Sequence, residues 1–187
     1  MKKKVLVMLV SVLLVTACIV GGTLAWLTAQ AHEIVNTFTT SDIEINLKET
    51  TGDNYKMVPG YTIEKNPKVT VAVGSEECYL FVKLDKSANF DEFLTYAIAE
   101  GWTALDGASD VYYRIVEIDA MGTEYDVLKD NQVTVKNEVT KKMMNDLTDD
   151  SCPTLTVTAY AFQHHKNADE MFDVDEAWAN IFGASGN

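Results

Sequence analysis

The sequence predicts a mainly β protein, an antiparallel jelly-roll-like β-sandwich with short helical insertions, preceded by an apolar N-terminal signal helix. Three observations carry that expectation. Short runs rich in Val, Ile, Thr and aromatic residues recur, several alternating apolar with polar at period two. Turn residues separate them, with neither a βαβ alternation nor a long repeat. The first stretch is different, with a basic end followed by a long apolar run.

In that leader, Lys2, Lys3 and Lys4 form the basic end, and Val5 to Val20 is apolar apart from Ser11 and Thr16. Positive charge stays cytoplasmic while the apolar stretch enters the membrane, so residues 1–25 read as a secretory signal peptide. Cleavage between Ala25 and Trp26 would follow the helix-breaking pair Gly21-Gly22, whereas Ala29-Gln30-Ala31 offers a later cut after Ala31. Val15-Thr16-Ala17-Cys18 loosely resembles a lipobox, but it lacks the preferred leucine and is followed by apolar sequence instead of a polar tether. Uncleaved, the run through Leu27 is long enough to span a bilayer, the one membrane contact the sequence suggests. Residues 26–41 then form an N-terminal segment and residues 42–187 one sandwich domain.

Within the domain, Ile43, Ile45 and Leu47 alternate with Asp42, Glu44, Asn46 and Lys48, the pattern of a half-buried strand. Pro59-Gly60 marks a turn, and Val69, Val71 and Val73 form a second strand ended by Gly74-Ser75. Glu77 to Asp85 has Cys78, Leu80, Val82 and Leu84 on one face but Tyr79 and Phe81 on the other, as in a central strand covered on both sides. Asn89 followed by Glu92 resembles a helix start, and Phe90, Phe93, Leu94, Ala97 and Ile98 recur at helical spacing before Gly101, predicting a helix of about three turns. Strands are expected at Tyr112 to Ile118 and Tyr125 to Leu128 around a Met121-Gly122 turn, at Val133 with Val135, and at Thr154 to Phe162. Short helices are expected at Thr140 to Leu147 and after Asp173, where Ala177, Trp178, Ile181 and Phe182 make an apolar stripe.

The chain has 187 residues, 47% of them apolar, enough for one folded domain. Its formal charge of −13 grows more negative once the leader lysines leave. Nucleic acid is excluded as a partner class, since phosphate binding needs a basic face. Cys18 lies in the leader, leaving Cys78 and Cys152 as a candidate disulfide in an oxidising compartment; sequence leaves bridge and buried thiols both open.

No catalytic constellation emerges. His32-Glu33-Ile34-Val35 is followed by Asn36 instead of the second histidine of a zincin helix. Adjacent His164 and His165 at a strand end would point to opposite faces, which reads as a solvated loop pair. Asp173-Val174-Asp175-Glu176 and Asp146 to Asp150 lack EF-loop spacing and read as a helix cap and a solvated acidic face. There is no Gly-x-Ser-x-Gly elbow, P-loop or Gly-x-Gly-x-x-Gly, so no catalytic, metal or cofactor residues are assigned and no cofactor is expected. Trp102, Tyr112, Tyr113, Tyr160 and Trp178 could form a carbohydrate platform, though core packing is their commoner use.

The junction Gly21-Gly22-Thr23-Leu24-Ala25-Trp26-Leu27, followed by Val35-Asn36-Thr37-Phe38-Thr39-Thr40-Ser41-Asp42-Ile43-Glu44-Ile45, resembles the TasA and camelysin family of Gram-positive bacteria. So do Pro59-Gly60, Tyr79-Leu80-Phe81-Val82-Lys83-Leu84 and Thr156-Val157-Thr158-Ala159-Tyr160-Ala161-Phe162-Gln163, while residues 90–150 support no assignment. The resemblance implies cleavage by a signal peptidase of the SipW type and a secreted jelly-roll domain of the cell surface or biofilm matrix. It also implies fibres in which the N-terminal segment of one subunit completes a neighbour's sheet, with self-association or other matrix proteins as partners. Here Ile34, Val35 and Phe38 would fill pockets along the open edge, although residues 26–41 could equally fold back as a first strand on their own domain. The alternatives are a camelysin-like metal-dependent surface protease and a monomeric adhesion or carbohydrate-binding module.

Overall fold

A computed structural model describes residues 42–52 and 54–183. The leader, the cleavage positions at Ala25 and Trp26, and the candidate exchange residues Ile34, Val35 and Phe38 lie outside the described residues.

The described chain is mainly β, and every named strand pair is antiparallel. Its organising element is β4 (Cys78–Lys86), nine residues long and flanked by β10 (Leu155–Gln163) and β7 (Val111–Val116); β6 (Thr103–Ala104) completes a sheet of order β10-β4-β7-β6. Alternation in β4 sends Cys78, Leu80, Val82 and Leu84 to one face and Tyr79 and Phe81 to the other, and all six are buried. Burying a side chain such as Leu80 contributes about 1.5–3 kcal/mol.

On the first face lie two small sheets. One has the order β1 (Ile45–Lys48), β3 (Lys68–Val71) and β8 (Glu124–Asp126). The other has the order β2 (Thr62–Glu64), β9 (Gln132–Val135) and β5 (Leu94–Thr95). Val69, Val71, Val133 and Val135 from these sheets join the β4 side chains in the main core. Sheets facing one another across a shared apolar layer are what a sandwich requires. On the second face, Phe81, Tyr79, Tyr113 and Tyr160 are covered by α3 (Val174–Gly183), whose Ala177 and Trp178 pack there. The Asp173 carboxylate accepts from the Asp175 N–H at 3.1 Å and so caps that helix. Between β10 and α3, β11 (His165–Asn167) and β12 (Glu170–Met171) form a small hairpin.

Two elements differ from expectation. The helix expected from Asn89 to Gly101 is a single turn, α1 (Phe90–Phe93), and the Asn89 side chain makes no cap bond. The chain then extends as β5, with Leu94 paired to Val135. Leu94, Tyr96 and Ile98 turn inward in strict alternation, so the same residues fit period two, and pairing with β9 decides between the readings. The strand expected to reach Ile118 stops at Val116, and Ile118 opens a short 3-10 turn with its side chain exposed. The second short helix does form as α2 (Lys141–Asn145), with the Thr140 hydroxyl accepting from the Met143 N–H at 3.2 Å.

Candidate functional site

The β10 strand closes the four-stranded sheet on one side, and β4 is its one sheet neighbour among the described residues. Its backbone directions follow from two hydrogen bonds. The His164 N–H donates to the Glu77 carbonyl at 3.0 Å, and the Ser87 N–H donates to the Thr154 carbonyl at 3.0 Å. Period-two alternation between these points aims the amides of Thr156, Thr158, Tyr160 and Phe162 at β4. Those of Val157, Ala159 and Ala161 are aimed away from it. This outer edge carries no charged residue and no proline over nine residues, two of the devices by which natural sheets blunt an edge, and β1 lies close to β10.

At the start of β10, Pro153, Thr154 and Leu155 form one wall of a cavity of about 410 Å³. Met57, Ile63, Phe90 and Leu94 supply much of the rest, giving an apolar interior large enough for one or two aliphatic or aromatic side chains. At the other end, the described chain begins at Asp42, whose carbonyl accepts from the Glu76 N–H at 3.3 Å. Residue 42 therefore lies close to Cys78, which is paired with Gln163 at the far end of β10.

A second constellation lies beside that far end. A bend at His164 separates β10 from β11, and it turns both His164 and His165 toward the carboxylate of Glu77. His164 Nδ1 is in direct contact with Glu77 Oε1, and His165 Nε2 lies 3.5 Å from Glu77 Oε2. The expectation of two imidazoles on opposite faces in a solvated loop is corrected here: strand geometry ends at Gln163, and His164 is only 7% exposed. Its ring is set edge-on to Tyr79 at 4.8 Å between centroids.

Cys78 and Cys152 are both free, which corrects the candidate disulfide. Cys78 sits at one end of the β4–β10 ladder, and Cys152 precedes Leu155, which pairs with Lys86 at the other. The eight steps of strand between, at about 3.3 Å each, place them roughly 25 Å apart, against the ~4.4–6.8 Å between Cα atoms that a bridge needs. Burial, with the nearby Glu77 charge adding to it, pushes the Cys78 thiol up to about 11.

The aromatic residues are divided between separate clusters. Tyr113, Tyr160 and Trp178 pack with Phe81 beneath α3, whereas Trp102 and Tyr112 pack against the main core. The Trp102 ring also lies 5.3 Å from the Arg114 guanidinium, and its Nε1–H donates to the Asp126 carbonyl at 2.8 Å. Among the described residues no helix is long and apolar enough to cross a membrane. No family model, no curated protein and no solved structure matches this chain.

Proposed function

We propose that this chain is a secreted structural protein of the cell surface or biofilm matrix, with a TasA-like jelly-roll domain. In this reading it polymerises into fibres when residues 26–41 of one copy add to the β10 edge of the next. The observation that carries the proposal is that edge, nine uncharged, proline-free residues with the outward amides of Val157, Ala159 and Ala161 unclaimed within the described sheet. Dimensions support it. β10 spans roughly 30 Å at about 3.3 Å per residue, and residues 26–41 extended would span roughly 50 Å, enough to cover the edge and leave a linker. The cavity at Leu155 supplies an anchor pocket of the kind a Phe38 or Ile34 side chain would fill. The leader pattern and the resemblance at the Ala25-Trp26 junction supply the secretion and the SipW-type peptidase.

Electron microscopy and sedimentation of purified residues 26–187 and 42–187 test the reading. The longer chain is expected to form fibres and the shorter to stay monomeric, while residues 26–41 added as a peptide should bind the shorter chain and inhibit growth of the longer. A longer chain that stays monomeric across salt, pH and concentration, or a shorter one that polymerises equally well, would remove the strand-exchange claim.

A further inference from the structure

We propose that Glu77, His164 and His165 form a binding site for a first-row divalent transition ion of the Zn²⁺ class, seated where β4 begins and β10 ends. The three ligating groups lie within 4.8 Å of one another. With metal–ligand bonds of about 2.0–2.1 Å, the donors of a tetrahedral site stand about 3.3 Å apart. The His165 Nε2 to Glu77 Oε2 separation of 3.5 Å is already that distance. His164 Nδ1 is closer to Glu77 Oε1, so a small outward rotation of the carboxylate brings all three groups to one ion.

The surroundings hold these groups before any ion arrives. The His164 backbone is bonded on both sides, its N–H to the Glu77 carbonyl at 3.0 Å and its carbonyl to the Phe172 N–H at 2.9 Å. Its ring is fixed against Tyr79, and the Tyr79 hydroxyl donates to the Phe172 carbonyl at 2.9 Å. His164 is the one histidine, charged or amide residue that is buried as a whole among the described residues, a placement that ligation would explain. His165 is about half exposed and opens the site to solvent, leaving room for a water as fourth ligand. Two imidazoles and one carboxylate suit a borderline ion and disfavour the hard cations Ca²⁺ and Mg²⁺, which take oxygen donors. The ligands flank the two strands of the longest ladder, Glu77 just before β4 and His164 and His165 just after β10, so the ion would staple β4 to β10 at the end where the chain enters at Asp42.

The test is Zn²⁺ titration of the full chain, purified without a histidine tag and stripped of metal, by calorimetry and by competition with a chromophoric chelator. His32 is the only other histidine in the sequence, so a His32→Ala variant serves as control. One equivalent of Zn²⁺ is expected to bind wild type and H32A alike. Loss of even an outer partner of a metal site weakens affinity 10- to 100-fold, so E77Q and H165A should each bind about 100-fold more weakly or worse. Zn²⁺ should raise the melting temperature of wild type and leave that of H165A unchanged, and Ca²⁺ or Mg²⁺ should do neither. Co²⁺ should give the visible absorption of a tetrahedral site in wild type and H32A but not in E77Q or H165A. Binding abolished by H32A but retained in H165A and E77Q would overturn the assignment, as would no saturable binding to wild type.

Discussion

Proline substitution along β10 tests whether its outer edge is open, because one strand supplies both the test positions and their controls. Ala159 directs its N–H away from β4, whereas Thr158, paired with Lys83, directs its N–H at it. Either proline forces φ toward −65°, so the strain common to both largely cancels in the comparison. Thr158→Pro additionally deletes a ladder donor and leaves a strand carbonyl of β4 without its partner, which costs about 1–3 kcal/mol. Ala159→Pro deletes a donor that the described sheet does not use, the position at which edge strands tolerate proline. T158P should therefore melt roughly 2–12 °C below A159P, taking about 2–4 °C per kcal/mol for a domain of this size. Circular dichroism melts of residues 42–187 and 26–187 carrying each substitution provide the assay. Equal destabilisation of the two in residues 42–187 would refute the assignment of backbone directions. Equal destabilisation in residues 26–187 alone, in monomeric protein, would mean that the N-terminal segment already pairs with its own β10.

Three further outcomes are expected. Trp178 stands 5.1 Å from Phe81 and 5.5 Å from Tyr160 by ring centroids, and full loss of a buried aromatic costs about 3–5 kcal/mol; since Trp178 is part-exposed, Trp178→Ala should cost about 2–3 kcal/mol in urea unfolding, and a loss under about 0.5 kcal/mol would show that α3 is not seated on the sheet. With the Cys78 thiol raised to about 11, its thiolate is scarce at every pH below that value, so alkylation at pH 8 read by peptide mass spectrometry should mark Cys152 quickly and Cys78 only after unfolding. Gly60 has φ +77° and an added Cβ would meet Asn137 Oδ1 at 2.5 Å, so Gly60→Ala should destabilise by about 1–3 kcal/mol, with part regained in the double variant carrying Asn137→Ala, as a thermodynamic cycle would measure.

The strands that organise the core were legible because their side chains alternate locally. Tyr79 and Phe81 set between Cys78, Leu80 and Val82 announce a strand buried on both faces, and β4 is that strand. Residues 90–101 were ambiguous for a physical reason: Phe90, Phe93, Leu94 and Ile98 satisfy a helical stripe while Leu94, Tyr96 and Ile98 satisfy period two, and a distant partner, β9, selects the second. Non-local pairing also hid the metal-ligating cluster. Glu77 stands 87 positions from His164, and only the bend after Gln163 brings the adjacent imidazoles onto it. Cysteine count likewise says nothing of ladder position, which alone separates Cys78 from Cys152.

The pairing of β4 with β10 also sets a timetable. Strands β5 to β9 intervene between the two in sequence, so β4 cannot gain its second neighbour until nearly the whole chain is available. Contacts of such long sequence separation close slowly, because the loop entropy is lost before the contacts compensate it. A chain threaded through a translocation channel from its N-terminus would hold β4 half-paired until β10 followed, and so stay unfolded enough to pass. Folding would then be completed on the far side of the membrane, by the same strand whose other edge is proposed to receive a neighbour.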